Sequence, residues 1–325
     1  MSAPPDTRQR LDALSAVFSP SSVAVVGASD NATKIGGIPL DYMLRLGYAG
    51  RVLPVNPRQA TVQGRQAWPS LGAITAGTGE APDLAIVAVP AALSRAALED
   101  AVAAGVRGVV MFTSGFAEVG EEGARQQTEL RAIARAGGVR LLGPNCLGFM
   151  NLQAGLYASF TPAVANGDLV RRGHIGLVSQ SGAFGAYAYV MARERGIGLS
   201  QWITTGNEAD IDFADCVEWL AHDPQTRVIM GYMEGCRDGA RLRRALAAAH
   251  AAGKPVVIVK VGRTEAGAQA AASHTAALAG NDAVYDTVLR EHGVHRARDI
   301  AEFFGIAAAA DVGGLPRDRS LGVLT

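Results

Sequence analysis

The sequence predicts an α/β protein made of two parallel-sheet units in tandem. Three observations lead there. Short continuous runs of Val, Ile and Leu alternate with longer amphipathic segments, as strands buried on both faces alternate with their covering helices. The alternation lapses between about Asn151 and Gly173 and then restarts. The apolar runs end on Gly, Pro, Asn or Ser, residues that close a strand and turn the chain.

In the first unit, Val23–Val26, Arg51–Val55, Leu84–Val89, Val106–Phe112 and Val139–Leu142 read as strands. Ile38–Leu46, Leu93–Ala104 and Glu121–Ala136 read as helices between them. In the second unit the strands are Ile175–Val178, Ser200–Thr205, Val228–Met233 and Val256–Val261. The helices run from Ser181 to about Arg195, then Phe213–Ala221, Arg241–Ala252, Ala283–His292 and Ile300–Ala309. Residues 1–13 are expected as a flexible arm, 14–150 as the first domain, 151–173 as a linker and 174–311 as the second domain. Residues 312–325 read as a linker and the opening of a further domain cut short, with a simple edge strand as the alternative.

Composition excludes several classes. At ~150 residues per domain, 325 residues make about two domains. A hydrophobic share of 49% with 18% charged residues excludes bulk disorder. Thirty basic residues against thirty acidic ones give no surplus for phosphate backbones, which argues against nucleic acid as the main partner. No apolar run approaches the ~20 residues of a membrane span, and MSAPPDTRQR lacks a secretory apolar core. The three cysteines, Cys146, Cys216 and Cys236, are far apart with no C-x-x-C, which fits a reducing cytoplasm.

Strand ends carry the candidate sites, since open α/β sheets bind ligands outside the carboxyl ends of their strands. Gly27-Ala28-Ser29 follows the first strand. Gly36 and Gly37 come too late for G-x-G-x-x-G, and the second strand ends on Asn56-Pro57 with no acidic residue for a ribose diol, which disfavours nicotinamide chemistry. Val89-Pro90, Ser114-Gly115 and Asn145 end later strands; each alone could be only a turn. Ser179-Gln180-Ser181-Gly182 follows a strand and opens a helix, offering N–H groups to an anion, and its spacing is not that of a serine nucleophile elbow. Glu234 sits at a strand end, where it could be catalytic or merely a surface residue. None of the six histidines belongs to a dense ligand cluster, and no metal site is expected. His274 is set among small residues, downstream of Lys260 and Arg263, which could meet anions.

In this order, Val-Val-Gly-Ala-Ser, Pro-Val-Asn-Pro, Gly-Pro-Asn-Cys-Leu-Gly, Val-Ser-Gln-Ser-Gly-Ala, Gly-Asn-Glu-Ala-Asp, Tyr-Met-Glu-Gly and Ser-His-Thr-Ala-Ala-Leu-Ala-Gly resemble the NDP-forming acyl-CoA synthetases. That superfamily includes ADP-forming acetate–CoA ligases and succinyl-CoA synthetase α subunits, and the resemblance runs from about Leu14 to Ala309. It implies a Rossmann-like CoA-binding domain followed by a flavodoxin-like ligase domain. It implies CoA across Gly27, Ala28, Ser29, Asn56, Pro57, Val89, Pro90, Ser114, Gly115 and Asn145. It implies a phosphorylated histidine at His274, oriented by Glu234, and a phosphoryl cradle at Ser179, Ser181, Gly182 and Ala183. The reaction it implies is acid, CoA and ATP to acyl-CoA, ADP and phosphate, reversibly, through acyl phosphate and phosphohistidine. ATP, ADP and Mg2+ would be handled by an ATP-grasp β subunit or fused domain, because no such domain and no G-x-x-x-x-G-K-[ST] loop is legible here. Association through the second domain, such as a homodimer, is also implied. Ala276 stands where the family often has Gly. A non-catalytic CoA-binding regulatory module of a larger protein is the alternative reading.

Overall fold

The computed structural model describes residues 5–262 and 281–314. Two parallel sheets organise the chain. The first contains β1 (Ser22–Val26), β2 (Arg51–Val55), β5 (Leu84–Val87), β6 (Gly108–Met111) and β7 (Arg140–Leu142), in the order β2-β1-β5-β6-β7 and parallel throughout. Its strands are three to five residues long and, apart from the edge strand β2, almost wholly buried, as expected where helices cover both faces. The helices are α2 (Ile38–Arg45), α3 (Leu71–Thr78), α4 (Ala91–Ala104) and α5 (Glu121–Ala136), with a short β3 (Thr61–Val62) and β4 (Arg65–Gln66) hairpin after β2.

The second sheet has the order β14-β13-β12-β10-β11-β8-β9. Its parallel part is β10 (Arg172–Ser179), β11 (Leu199–Thr204), β12 (Val228–Met233), β13 (Val256–Lys260) and β14 (His295–Arg296). Helices α6 (Gly182–Glu194), α7 (Phe213–His222), α8 (Gly239–Ala251), α9 (Asp282–Glu291) and α10 (Ile300–Gly313) accompany it. In both units the chain leaves the first strand to one side and returns to the other. Each sheet therefore has a topological switch point, between β1 and β5 and between β10 and β12.

Two expectations are corrected. The stretch 151–173 is not a structureless linker. β8 (Gly148–Asn151) and β9 (Leu156–Ser159) form an antiparallel pair that extends the second sheet from β11. All four residues of β9 are buried, so a run too short to show periodicity is fixed by pairing. Nor is the start of the chain only an arm, because α1 spans Pro5–Phe18. Leu14, Val17 and Phe18, at helical spacing, are fully buried, and Phe18 packs on both Phe149 and Trp219. One continuous core cluster thus includes residues of α1, the first sheet and the second unit.

The units are also joined through polar contacts. The segment 207–211 runs along the end of β7: Asn207 N donates to Pro144 O (2.9 Å), Ala209 N to Gly143 O (2.9 Å) and Ile211 N to Leu141 O (3.0 Å). Arg140, at the start of β7, donates to Asp210 (2.7 Å) and Asp215 (3.0 Å), both buried in the second unit. Arg241 on α8 also pairs with Asp215. Among the described residues, no helix is long and apolar enough to cross a membrane.

Candidate functional site

At the first switch point the strand ends form a single hydrogen-bonded row. Gly27 and Ala28 donate N–H groups to Val55 O (3.1 and 3.2 Å), and Asn56 Nδ2 returns a bond to Ala28 O (2.9 Å). Ala88 N donates to Val26 O, Thr113 Oγ1 to Val89 O (2.7 Å) and Asn145 N to Thr113 O (2.9 Å). Gly27 has φ +85°, and a Cβ there would lie 2.6 Å from Ala88 O, so the close approach of β1 and β5 requires glycine. Gly27–Ser29, Asn56, Pro57, Val89, Pro90, Ser114, Gly115 and Asn145 accordingly lie along the carboxyl ends of neighbouring strands. The Gly27 and Ala28 amides are committed to Val55 O. Gln63, Gln59 and Asp30 brace it: Gln63 Nε2 donates to Ser29 O and Gly37 O, Gln63 N to Asp30 Oδ1 and Gln59 Nε2 to Asp30 Oδ2.

The second switch point is a cavity of about 310 Å3. Helix α6 begins there. Ser181 is its N-cap, accepting from Phe184 N at 3.2 Å, and the first N–H groups of such a helix have no partner within it. Ser181, Gly182 and Ala183 line the cavity. Ser179 does not: it is fully buried and its hydroxyl donates to Ser181 O (2.6 Å), bracing the turn. Opposite, Glu234 follows β12 and is also a lining residue. The first unit supplies Phe112, Asn145, Cys146 and Leu147 to the wall, and Phe160, just after β9, joins them, which makes the cavity a joint product of both units.

One buried side chain ties these parts together. Gln180 Oε1 accepts from Glu234 N (2.6 Å) and Gly235 N (3.0 Å), while its Nε2 donates to Gly235 O and Glu208 Oε1 (both 3.0 Å). The same Glu208 oxygen accepts from Thr205 Oγ1 and Phe213 N (2.9 Å each). Burial, with Asp212 nearby, pushes the Glu208 carboxyl up to about 7 despite these donors. Arg237 clamps the turn from outside through Glu208 O and Asn207 O (3.1 Å each). A second bridge leads back to the first unit. Asn207 Nδ2 donates to Glu118 Oε2 (2.5 Å), whose carboxylate also accepts from Gly115 N and Phe116 N, and Asn145 Nδ2 donates to Asn207 Oδ1 (3.2 Å). Burial alone would raise the Glu118 carboxyl, but these donors hold it below its ordinary value. Gly206, at φ +60°, lets this turn approach within a Cβ's distance (2.5 Å) of the carbonyls of Pro144 and Asn145.

Residues 21–151 match the family described as a CoA binding domain, and residues 172–310 match the succinyl-CoA ligase like flavodoxin domain. The chain belongs to the NDP-forming acyl-CoA synthetases. It is 39% identical over 308 residues to the α subunit of acetate–CoA ligase [ADP-forming] II of Pyrococcus furiosus, covering 95% of this chain and 65% of that one. It is 34% identical to the 4-hydroxybutyrate–CoA ligase [ADP-forming] of Nitrosopumilus maritimus, over 96% of this chain and 44% of that one. Among solved structures, a Ca. Korarchaeum cryptofilum acetyl-coenzyme A synthetase in complex with phosphate and ADP superposes with TM-score 0.86 and 35% identity, covering 94% of this chain and 64% of that one. The chain thus spans less than two thirds of these relatives' length.

Of the expected phosphoryl cradle, Ser181, Gly182 and Ala183 line the same cavity as Glu234 and Ser179 does not; of the expected CoA row, Asn145 lines it. His274 and Arg263 lie outside the described residues. Lys260 is not an available anion partner: its Nζ donates to Glu234 O (2.9 Å) and Val261 O (2.5 Å) and lies 4.5 Å from the Tyr285 ring centre. Sequence reasoning assigned no role to Gln180, Glu208, Asn207 or Arg237. Gly-Asn-Glu-Ala-Asp was visible as a motif, but Glu208 acquires its role only from the left-handed turn (φ +55°) that aims it at Gln180.

Proposed function

We propose that the chain is the α-type portion of an NDP-forming acyl-CoA ligase that joins a carboxylic acid to CoA as ATP becomes ADP and phosphate, reversibly. The observation that carries this reading is the convergence of three parts at one cavity: the α6 N-terminus, the Glu234 strand end and the rim of the first unit.

The chemistry follows in the direction that consumes acyl-CoA and forms ATP. CoA supplies the thioester sulfur. The first-unit row suits this large ligand, with exposed Lys34 and Arg58 on its loops as counter-charges for phosphates. Phosphate oxygen attacks the thioester carbonyl; a C–O bond forms, the C–S bond breaks, and the departing sulfur takes a proton. The unpartnered N–H groups at Gly182 and Ala183 and the positive end of α6 favour the phosphate, by up to ~2 kcal/mol in a partly buried site. A neutral nitrogen of His274 then attacks phosphorus, forming N–P as the P–O bond to the acyl carboxylate breaks. Glu234 is proposed to accept a hydrogen bond from the other imidazole N–H, fixing the tautomer and stabilising the cation that forms. The Gln180 bonds to the backbone of Glu234 and Gly235 hold that carboxylate in place. The phosphoryl group finally passes to ADP in an ATP-grasp β subunit or fused domain, which also holds Mg2+. Association of two copies through the second unit belongs to the same proposal.

The test is to supply an ATP-grasp partner, Mg2+ and ATP labelled at the γ-phosphate. Acid-labile label is expected on the chain and is expected to disappear in His274→Ala. Label persisting in that variant overturns the assignment. CoA binding without any labelling favours the non-catalytic module instead.

A further inference from the structure

The cavity has two unlike ends. The polar end comprises Ser181, Gly182, Ala183 and Glu234. The other wall carries the apolar side chains of Phe112, Leu147 and Phe160, with Asn145 and Cys146 alongside. The Phe112 and Phe160 rings lie 4.9 Å apart in a tilted pair, and Phe112 is buried. Leu147 is held firmly, because its carbonyl accepts from Ser159 Oγ (2.6 Å) and Phe160 N (3.4 Å). Its side chain packs on the start of α6, where a Cβ at Gly182 would lie 3.1 Å from Leu147 Cγ. This wall therefore touches the helix end that would hold phosphate. A group bonded to that phosphate through a carboxyl carbon would point its remaining atoms at the rings.

We propose that Phe112, Leu147 and Phe160 are the specificity wall for the acyl tail, and that Phe160 sets the tail length. This rests on the ligase reading above. Volume limits the tail. A cavity of about 310 Å3 is at the small end of ligand pockets, ~300–1,000 Å3, and must also hold the phosphate. Phe160 opens β9's exit, in the stretch that has no periodicity in sequence, and is only partly buried, so it can be shortened without emptying the core.

The experiment uses the chain with its ATP-grasp partner, ATP, Mg2+ and hydroxylamine to trap acyl phosphate, across acetate, butyrate and hexanoate. The wild type is expected to use acetate or butyrate in preference to hexanoate. Phe160→Ala is expected to raise the hexanoate-to-acetate ratio of kcat/KM about tenfold or more, since each methylene is worth ~10–200-fold in a fitted apolar pocket. Phe160→Leu, a milder change, is expected to shift the same ratio less and serves if the alanine variant loses the wild-type circular-dichroism spectrum. Unchanged ratios in both variants overturn the inference while wild-type labelling at His274 leaves the ligase reading standing. Absence of labelling in the wild type overturns that reading, and the inference with it.

Discussion

The two switch points have the same strand arrangement and opposite interiors. At the first, the loop after β1 is held by backbone bonds to Val55, and its flanking carboxylate Asp30 is exposed and tied to Gln59 and Gln63. At the second, the loop after β10 carries a buried glutamine linking one buried carboxylic residue to the backbone of another. An open glycine rim can lay a long ligand along a surface. A closed rim with buried carboxyl groups can orient a nitrogen and stabilise charge as it forms. Fold alone assigns neither role; the side chains at the strand ends do.

The largest expected effect comes from breaking the joint between the two rims. Arg140→Leu removes the cation facing Asp210 and Asp215 and leaves two buried carboxylates unmatched except for Arg241 and Arg135, costing about 3–5 kcal/mol. Denaturant unfolding should show this as a lowered midpoint, and unchanged stability would mean that the joint is not structural.

Next comes the asymmetry in carboxyl burial. Because the folded-state Glu208 carboxyl is raised to about 7 from an ordinary 4.5, its protonated form is favoured by folding. Its contribution is fully present below about pH 4.5 and is lost as pH rises through about 7, on the order of 3 kcal/mol at most. Unfolding measured from pH 5 to 8 should fall more steeply for the wild type than for Glu208→Gln. Equal slopes would place the titration elsewhere.

Glu234→Gln sharpens the comparison in activity. A neutral amide can still fill the space but cannot stabilise an imidazolium, so label uptake from ATP should slow by ~10²-fold or more. Wild-type rates would reduce Glu234 to a strand-end bystander. The smallest effect belongs to the first rim. Gly27→Ala forces a positive φ and a contact with Ala88 O, for about 1–3 kcal/mol of stability, and should raise the KM for CoA more than it lowers kcat. A kcat-only defect would argue that the loop does not face CoA.

How much of this was legible beforehand divides along the same line. Continuous runs such as Val228–Met233 and stop residues such as Asn56-Pro57 mark strands and their ends, because burial on both faces and turn chemistry are local properties. Ser181 is legible as a helix start for the same reason. Glu208 and Gln180 are not, since their meaning lies in a contact 28 residues apart along the chain. Phe160 and β9 escaped because four residues paired at a sheet edge show no period, and α1 because its charged surface masks the Leu14, Val17 and Phe18 stripe.

The central claim is that the second rim passes a phosphoryl group through one imidazole. Peptide mapping by mass spectrometry under alkaline, phosphoramidate-preserving conditions, after exposure to ATP, Mg2+ and an ATP-grasp partner, tests it most directly. The phosphate should be found on the peptide containing His274 and should be discharged on adding acid and CoA. A phosphate on any other residue, or one that CoA and acid leave in place, would contradict it.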